Sequence, residues 1–150
     1  MAVATPANAY VIGECTIKAN NPHPSTHVNG TINAQGTVAC SVVMNEIYLR
    51  AVLERADGAS WTGTTSDYFG VKGTQANAAT SCSAGESGLF FRLRIEYVLQ
   101  APPGVDPAYA SNTIYSPWVS GKCTNGANRV ATGTELDGLT VTVPIEASGK

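Results

Sequence analysis

Alternation with a period of two is the feature that most constrains this chain. Leu89, Phe91, Leu93, Ile95, Tyr97 and Leu99 share one face, and Phe90, Arg92, Arg94, Glu96 and Val98 share the other. Successive side chains of a β-strand point to opposite faces, so such a run has one face on a core and one toward solvent. The pattern recurs. Residues 10–18 align Val11, Cys15 and Ile17, and residues 28–34 align Val28, Ile32 and Ala34. Residues 37–44 align Val38, Cys40, Val42 and Met44, and residues 46–55 align Ile47, Leu49, Ala51 and Leu53. Near the C-terminal end, Leu139, Val141, Val143 and Ile145 interleave with Thr140 and Thr142. The Leu, Arg, Ala and Glu of residues 46–55 also suit a helix. Strand is the better reading there, because Asp57-Gly58 follows at once and that dipeptide signals a hairpin turn.

Turn-rich segments separate the runs: residues 20–25 with Pro22 and Pro24, residues 84–88, Pro102-Pro103-Gly104, and Asn125-Gly126. Pro102 ends the longest alternating run, since proline gives the ladder no N–H. Residues 106–112 then read as an extended surface loop. About eight short strands at turn-marked spacing predict a single all-β domain, an antiparallel β-sandwich of immunoglobulin-like architecture. It is expected over residues 10–150, preceded by a flexible arm or signal-cleavage remnant over residues 1–9. The start, Met1 to Pro6, lacks the basic and long apolar regions of a signal peptide, although Ala7-Asn8-Ala9 has a cleavage-site form. No stretch approaches the ~18 apolar residues of a membrane helix.

Cys15, Cys40, Cys82 and Cys123 are widely spaced, and none forms a C-x-x-C pair. That argues against zinc knuckles and thioredoxin-type chemistry. In a small, weakly charged chain the spacing suggests two disulfides and an oxidising compartment, hence a secreted or extracellular protein. Three pairings are open. Cys15–Cys40 with Cys82–Cys123 is preferred because it links consecutive cysteines and closes the shorter loops.

Only 13% of the residues are charged and the formal net charge is -2. There is no basic footprint for nucleic acid. The few charges are patterned, however. Arg50 and Glu54 on one run, and Arg92, Arg94 and Glu96 on another, form cross-strand pairs if those strands are neighbours.

Catalytic constellations are missing. Serine hydrolysis needs an activated nucleophile beside a base, yet there is no G-x-S-x-G, and Ser25 between His23 and His27 is too local to imply a triad. Those two histidines, with Glu14, are the nearest approach to a metal site, but Pro22 and Pro24 forbid the helix that would align them, so a packed, Pro-rich connector is the plainer reading. Glu14, Glu46, Glu54 and Glu96 lie on alternating runs as solvent-facing residues, with no glycosidase pair indicated. Gly70-Val71-Lys72-Gly73 lacks the spacing of a phosphate loop. Neither a cofactor nor a metal is implied, and no catalytic residue is assigned.

Aromatic residues are the remaining resource. Trp61, Tyr68, Tyr109, Tyr115 and Trp118 are the candidate binding residues, as platforms for a glycan or anchors for a protein. The plainer reading of Trp61 and Trp118 is as partly buried staples. Asn29-Gly30-Thr31 matches a glycosylation acceptor. Strand edges, and the arm over residues 1–9, offer a partner an extended surface.

The segment from Asn21-Pro22-His23-Pro24-Ser25 through Asn29-Gly30-Thr31-Ile32-Asn33-Ala34, with Ala78-Ala79-Thr80-Ser81-Cys82 and Ser116-Pro117-Trp118, resembles small secreted proteins of Gram-positive actinobacteria, mostly uncharacterised. The resemblance spans roughly residues 15–123. It implies export, disulfides and a β-sandwich, and by analogy an adaptor role in an extracellular toxin-type particle. It transfers no catalytic residue. The expected function is a secreted, non-catalytic interaction or assembly subunit with a protein partner. The alternatives are a carbohydrate-binding module, and a small protease inhibitor presenting residues 101–112.

Overall fold

The structure, a computed structural model, describes residues 10–25, 28, 30–82, 89–121 and 138–147. These residues form nine strands: β1 (Tyr10–Ala19), β2 (His23–Pro24), β3 (Thr31–Arg55), β4 (Ser60–Ser81), β5 (Leu89–Gln100), β6 (Val105–Asp106), β7 (Tyr109–Tyr115), β8 (Val119–Gly121) and β9 (Leu139–Ala147). Every pairing is antiparallel, so the all-β antiparallel expectation holds.

The strands do not divide into the two separate sheets of an immunoglobulin-like sandwich. They make one sheet of order β6-β9-β1-β3-β5-β7, with β4 on the other side of β3. The cause is the length of β3, 25 residues, paired along almost its whole course with the 22-residue β4. The first half of β3 carries β1, at Gly36 to Cys40. Its second half carries β5, at Glu46 to Arg55. A long strand shared by both halves must bend for the halves to face each other, and the sheet curls into a nearly closed barrel.

The bend is visible in the register. Ala39 pairs with Gly73 and Met44 with Val71, so β3 advances five residues while β4 advances two. An odd excess moves the inward set to the other parity. Ile32, Ala34, Val38, Cys40 and Met44 point inward up to the end of this irregular stretch, and Ile47, Leu49, Ala51 and Leu53 beyond it. The opposed phases of residues 37–44 and 46–55 therefore belong to one bulged strand, not to two strands. Gly70, at φ 64°, supplies the matching kink in β4.

The bend brings the two halves of β4 side by side. Thr64 Oγ1 accepts from Asn77 N at 2.9 Å, and the Ser66 and Thr74 hydroxyls meet at 2.7 Å. On the opposite side, β6 pairs with β9 and leads through cis Asp106–Pro107 into β7. Residues 109–112 are thus strand, paired with β5 from Gln100↔Tyr109 to Tyr97↔Asn112, and not the loop expected over 106–112. A further departure is Val11. A register shift between Val11 and Gly13 turns its side chain off the face of Cys15 and Ile17, and it is 61% exposed.

Cys15 and Cys40 are directly opposite in the β1–β3 register and form a disulfide, as preferred. Cys82 is not a free thiol. Cys123, and with it the expected Cys82–Cys123 bridge, lies outside the described residues, as do the arm over residues 1–9, His27 and Asn29.

Candidate functional site

The outer face of the second barrel half carries the chemistry. The β3–β5 register sets Arg50 opposite Glu96, Val52 opposite Arg94 and Glu54 opposite Arg92. Opposed residues share a face, so the expected cross-strand pairs form. Glu54 Oε1 accepts from Arg92 Nε and Oε2 from Arg94 Nη1, both at 2.7 Å. Arg50 Nη1 donates to Glu96 Oε1 at 3.2 Å, and Arg94 Nε lies 3.2 Å from Glu96 Oε2. The Glu54 side chain is the most enclosed, at 15% exposure. Val52, between Arg50 and Glu54 on this same outer face, is buried to 1%, consistent with long charged side chains covering apolar surface with their stems.

The ladder ends in an aromatic clamp. The Arg92 guanidinium carbon lies 4.0 Å from the Tyr115 ring centroid and 4.4 Å from that of Trp118. Stacking a guanidinium on two rings fixes its plane and is worth ~0.5–1 kcal/mol per ring at exposed sites. The β7 end is positioned by Ser116. Its N–H donates to Leu93 O at 2.9 Å and its buried Oγ accepts from Leu93 N at 2.8 Å. Pro117 then turns the chain so that Trp118 reaches back over β5, before β8 rejoins it at Phe91↔Val119. Trp118 is 42% exposed and Tyr115 38%.

Across the ladder stands the hairpin turn between β3 and β4. Gly58, at φ 99°, allows its N–H to reach Arg55 O at 2.9 Å. Asp57 Oδ1 accepts from Ala59 N at 3.1 Å and from Arg55 Nε at 2.9 Å. The Arg55 guanidinium and that backbone N–H hold the Asp57 carboxyl below its ordinary range. Between turn and clamp lies a hollow of about 390 Å³, lined by Glu54, Arg55, Ser60, Arg92, Arg94, Trp118 and the turn backbone.

The five aromatic candidates separate. Tyr115 and Trp118 meet at Arg92. Trp61 is a staple, packed on the core with its ring 6.5 Å from Phe91 and Arg55 over its face. Tyr68 and Tyr109 lie at the far end of the sheet. Tyr109 is 64% exposed and its hydroxyl accepts from Gln100 Nε2. His23 is buried on β2 and donates from Nδ1 to Pro24 O at 2.8 Å, a packed connector residue.

One pairing went unread in the sequence. Asp67 raises the Glu46 carboxyl above its ordinary range, through hydrogen bonding first, with desolvation and the Asp67 charge adding to it. Asp67 sits on β4, whose Thr, Ser and Gly give no alternation, so nothing in the sequence put it beside Glu46. Among the described residues no three His, Cys, Asp or Glu side chains gather as a metal site. No family model, no curated protein and no solved structure matches this chain.

Proposed function

We propose that this protein is a non-catalytic interaction or assembly subunit that engages a protein partner through the Arg92–Tyr115–Trp118 face. One observation carries the reading: Arg92 is held between two rings that remain about 40% exposed. Trp, Tyr and Arg are the residue types that dominate binding energy at protein interfaces. Holding them rigidly before contact lowers the ordering cost of association. The carboxylates at the face are engaged by guanidinium groups, which suits recognition better than proton transfer. The Cys15–Cys40 disulfide supports an oxidising, extracellular setting. There, an adaptor role of the kind the actinobacterial resemblance implies is the natural form of the reading.

The test is affinity capture from the native extracellular milieu with wild type and Trp118→Ala, coupled to sedimentation velocity. A stoichiometric partner should be recovered by wild type and bound at least about thirtyfold more weakly by the variant, the scale of an interface anchor. A monodisperse monomer that recovers no partner overturns the proposal. So does capture that ignores the substitution. A glycan array run in parallel, positive for wild type and negative for Trp118→Ala, would instead establish the carbohydrate-binding alternative.

A further inference from the structure

We infer that the hollow between the β3–β4 turn and Trp118 is a carboxylate-binding site, and that it receives an acidic side chain of the protein partner. The inference rests on the proposed interaction face and names the chemistry that face recognises.

Charge and geometry point the same way. Four arginines, Arg50, Arg55, Arg92 and Arg94, surround three carboxylates, Glu54, Asp57 and Glu96, through the ion pairs of this face. In the lining of the hollow, Arg92 and Arg94 share the one carboxylate of Glu54. A singly charged carboxylate adds less repulsion against Glu54 than a phosphate dianion does. Arg92 and Arg94 both line the hollow. Arg92 donates only from Nε to Glu54, and Arg94 hydrogen-bonds Glu54 only through Nη1, so the Arg92 Nη groups and Arg94 Nη2 have no hydrogen-bond partner among the described residues. Guanidinium groups present their N–H donors as a planar fork that matches a carboxylate in two-point contact. The clamp of Tyr115 and Trp118 fixes the plane of that fork. Trp118 also walls the hollow with an apolar face, against which the methylenes of a glutamate can pack. Ser60 adds an exposed hydroxyl at the rim.

The experiment titrates the full-length, disulfide-intact protein with acetyl-hexaglutamate amide, at fixed ionic strength. It follows the arginine Nε–H and tryptophan indole N–H resonances, the latter assigned with Trp61→Phe. Acetyl-hexaglutamine amide is the neutral control and a hexuronate oligosaccharide is the third arm. Shifts of Arg92, Arg94 and Trp118 with hexaglutamate alone are expected. Arg92→Gln should weaken binding about tenfold, the scale of one hydrogen bond to a charged group. Ser60→Glu, which removes no ion pair and places a carboxylate at the rim, should abolish it and guards against misfolding of the arginine variant. Equal shifts with hexaglutamine, or none with hexaglutamate, overturn the inference. A response to the hexuronate alone overturns the acidic peptide as ligand. Partner capture that is lost in Trp118→Ala but unchanged in Ser60→Glu would leave the interaction face standing while removing the carboxylate site.

Discussion

The two halves of the barrel reach stability by different means. In the first half, where β3 runs beside β1, the inward residues are small: Ala19, Ala34, Gly36, Ala76 and Ala78, with Ile17, Ile32 and Val38 among them. Small residues bury little apolar area and contribute correspondingly little. This half carries the Cys15–Cys40 bridge, which closes 25 residues of chain. In the second half, β3 and β5 send Leu49, Leu53, Phe91, Leu93, Ile95 and Leu99 inward, all buried to 1% or less, and hold an ion-pair ladder outside. The two halves are complementary in volume. A Cβ at Gly36 would stand inside van der Waals contact with Cδ1 and Cγ1 of Ile95, so the gap on one wall is filled from the other.

If that division is right, the largest single loss comes from the packed half. Leu93→Ala, at 0% exposure, should cost about 3 to 5 kcal/mol in urea unfolding, because the surrounding barrel cannot collapse onto the cavity. Removing the bridge with Cys15→Ala and Cys40→Ala should cost about 3 to 4 kcal/mol through the freedom returned to the unfolded chain. A bridge effect under 1 kcal/mol would mean the first half is held by the ladders of β1 and β4 and not by its covalent staple. Next is the contact between the halves. Gly36→Ala should cost about 1 to 3 kcal/mol by overpacking, and Ile95→Val, which removes Cδ1, should recover part of that loss. A double-mutant cycle measures the coupling. Additive losses would show that the walls do not interlock at this point.

The same contrast explains what the sequence revealed. The second half was legible because large apolar residues alternate cleanly with charges on β5. That alternation marked Arg50 and Glu54 as cross-strand partners for Arg92, Arg94 and Glu96 if the strands were neighbours. Which charge meets which needed the register. The first half was legible only in part. Alternation marked Cys15 and Ile17 but misplaced Val11, because a bulge leaves no mark on composition. β4 was missed altogether. Its inward positions include Ala76 and Ala78, and its outward ones are Thr, Ser and Asn, so no contrast in hydropathy distinguishes its faces. Joining residues 31–55 into one strand needed the phase reversal between Met44 and Ile47 to be taken as a bulge. Of the candidate site, Tyr115 and Trp118 were named from their chemistry. Their meeting at Arg92 was hidden, since it depends on the turn at Pro117 and the β5–β7 register.

The smallest expected effect is electrostatic, and it distinguishes the two ends of the second half. At the far end the Glu46 carboxyl is raised by Asp67, through hydrogen bonding first. A raised carboxyl binds its proton more tightly folded than unfolded. Its contribution is therefore complete below the unfolded value of 4.5 and is lost as pH rises through the folded value. At the turn, the Asp57 carboxyl is lowered by Arg55 and the Ala59 N–H. Its contribution is present above the unfolded value of 3.8 and is lost as pH falls through the folded one. Thermal midpoints measured from pH 3 to pH 7 should separate the two. Glu46→Gln, which removes the second negative charge beside Asp67, should remove the loss seen on raising the pH. Asp57→Asn should instead lower the midpoint at neutral pH and converge with wild type in acid. Parallel curves for wild type and Glu46→Gln would mean that solvent screens the acid pair completely.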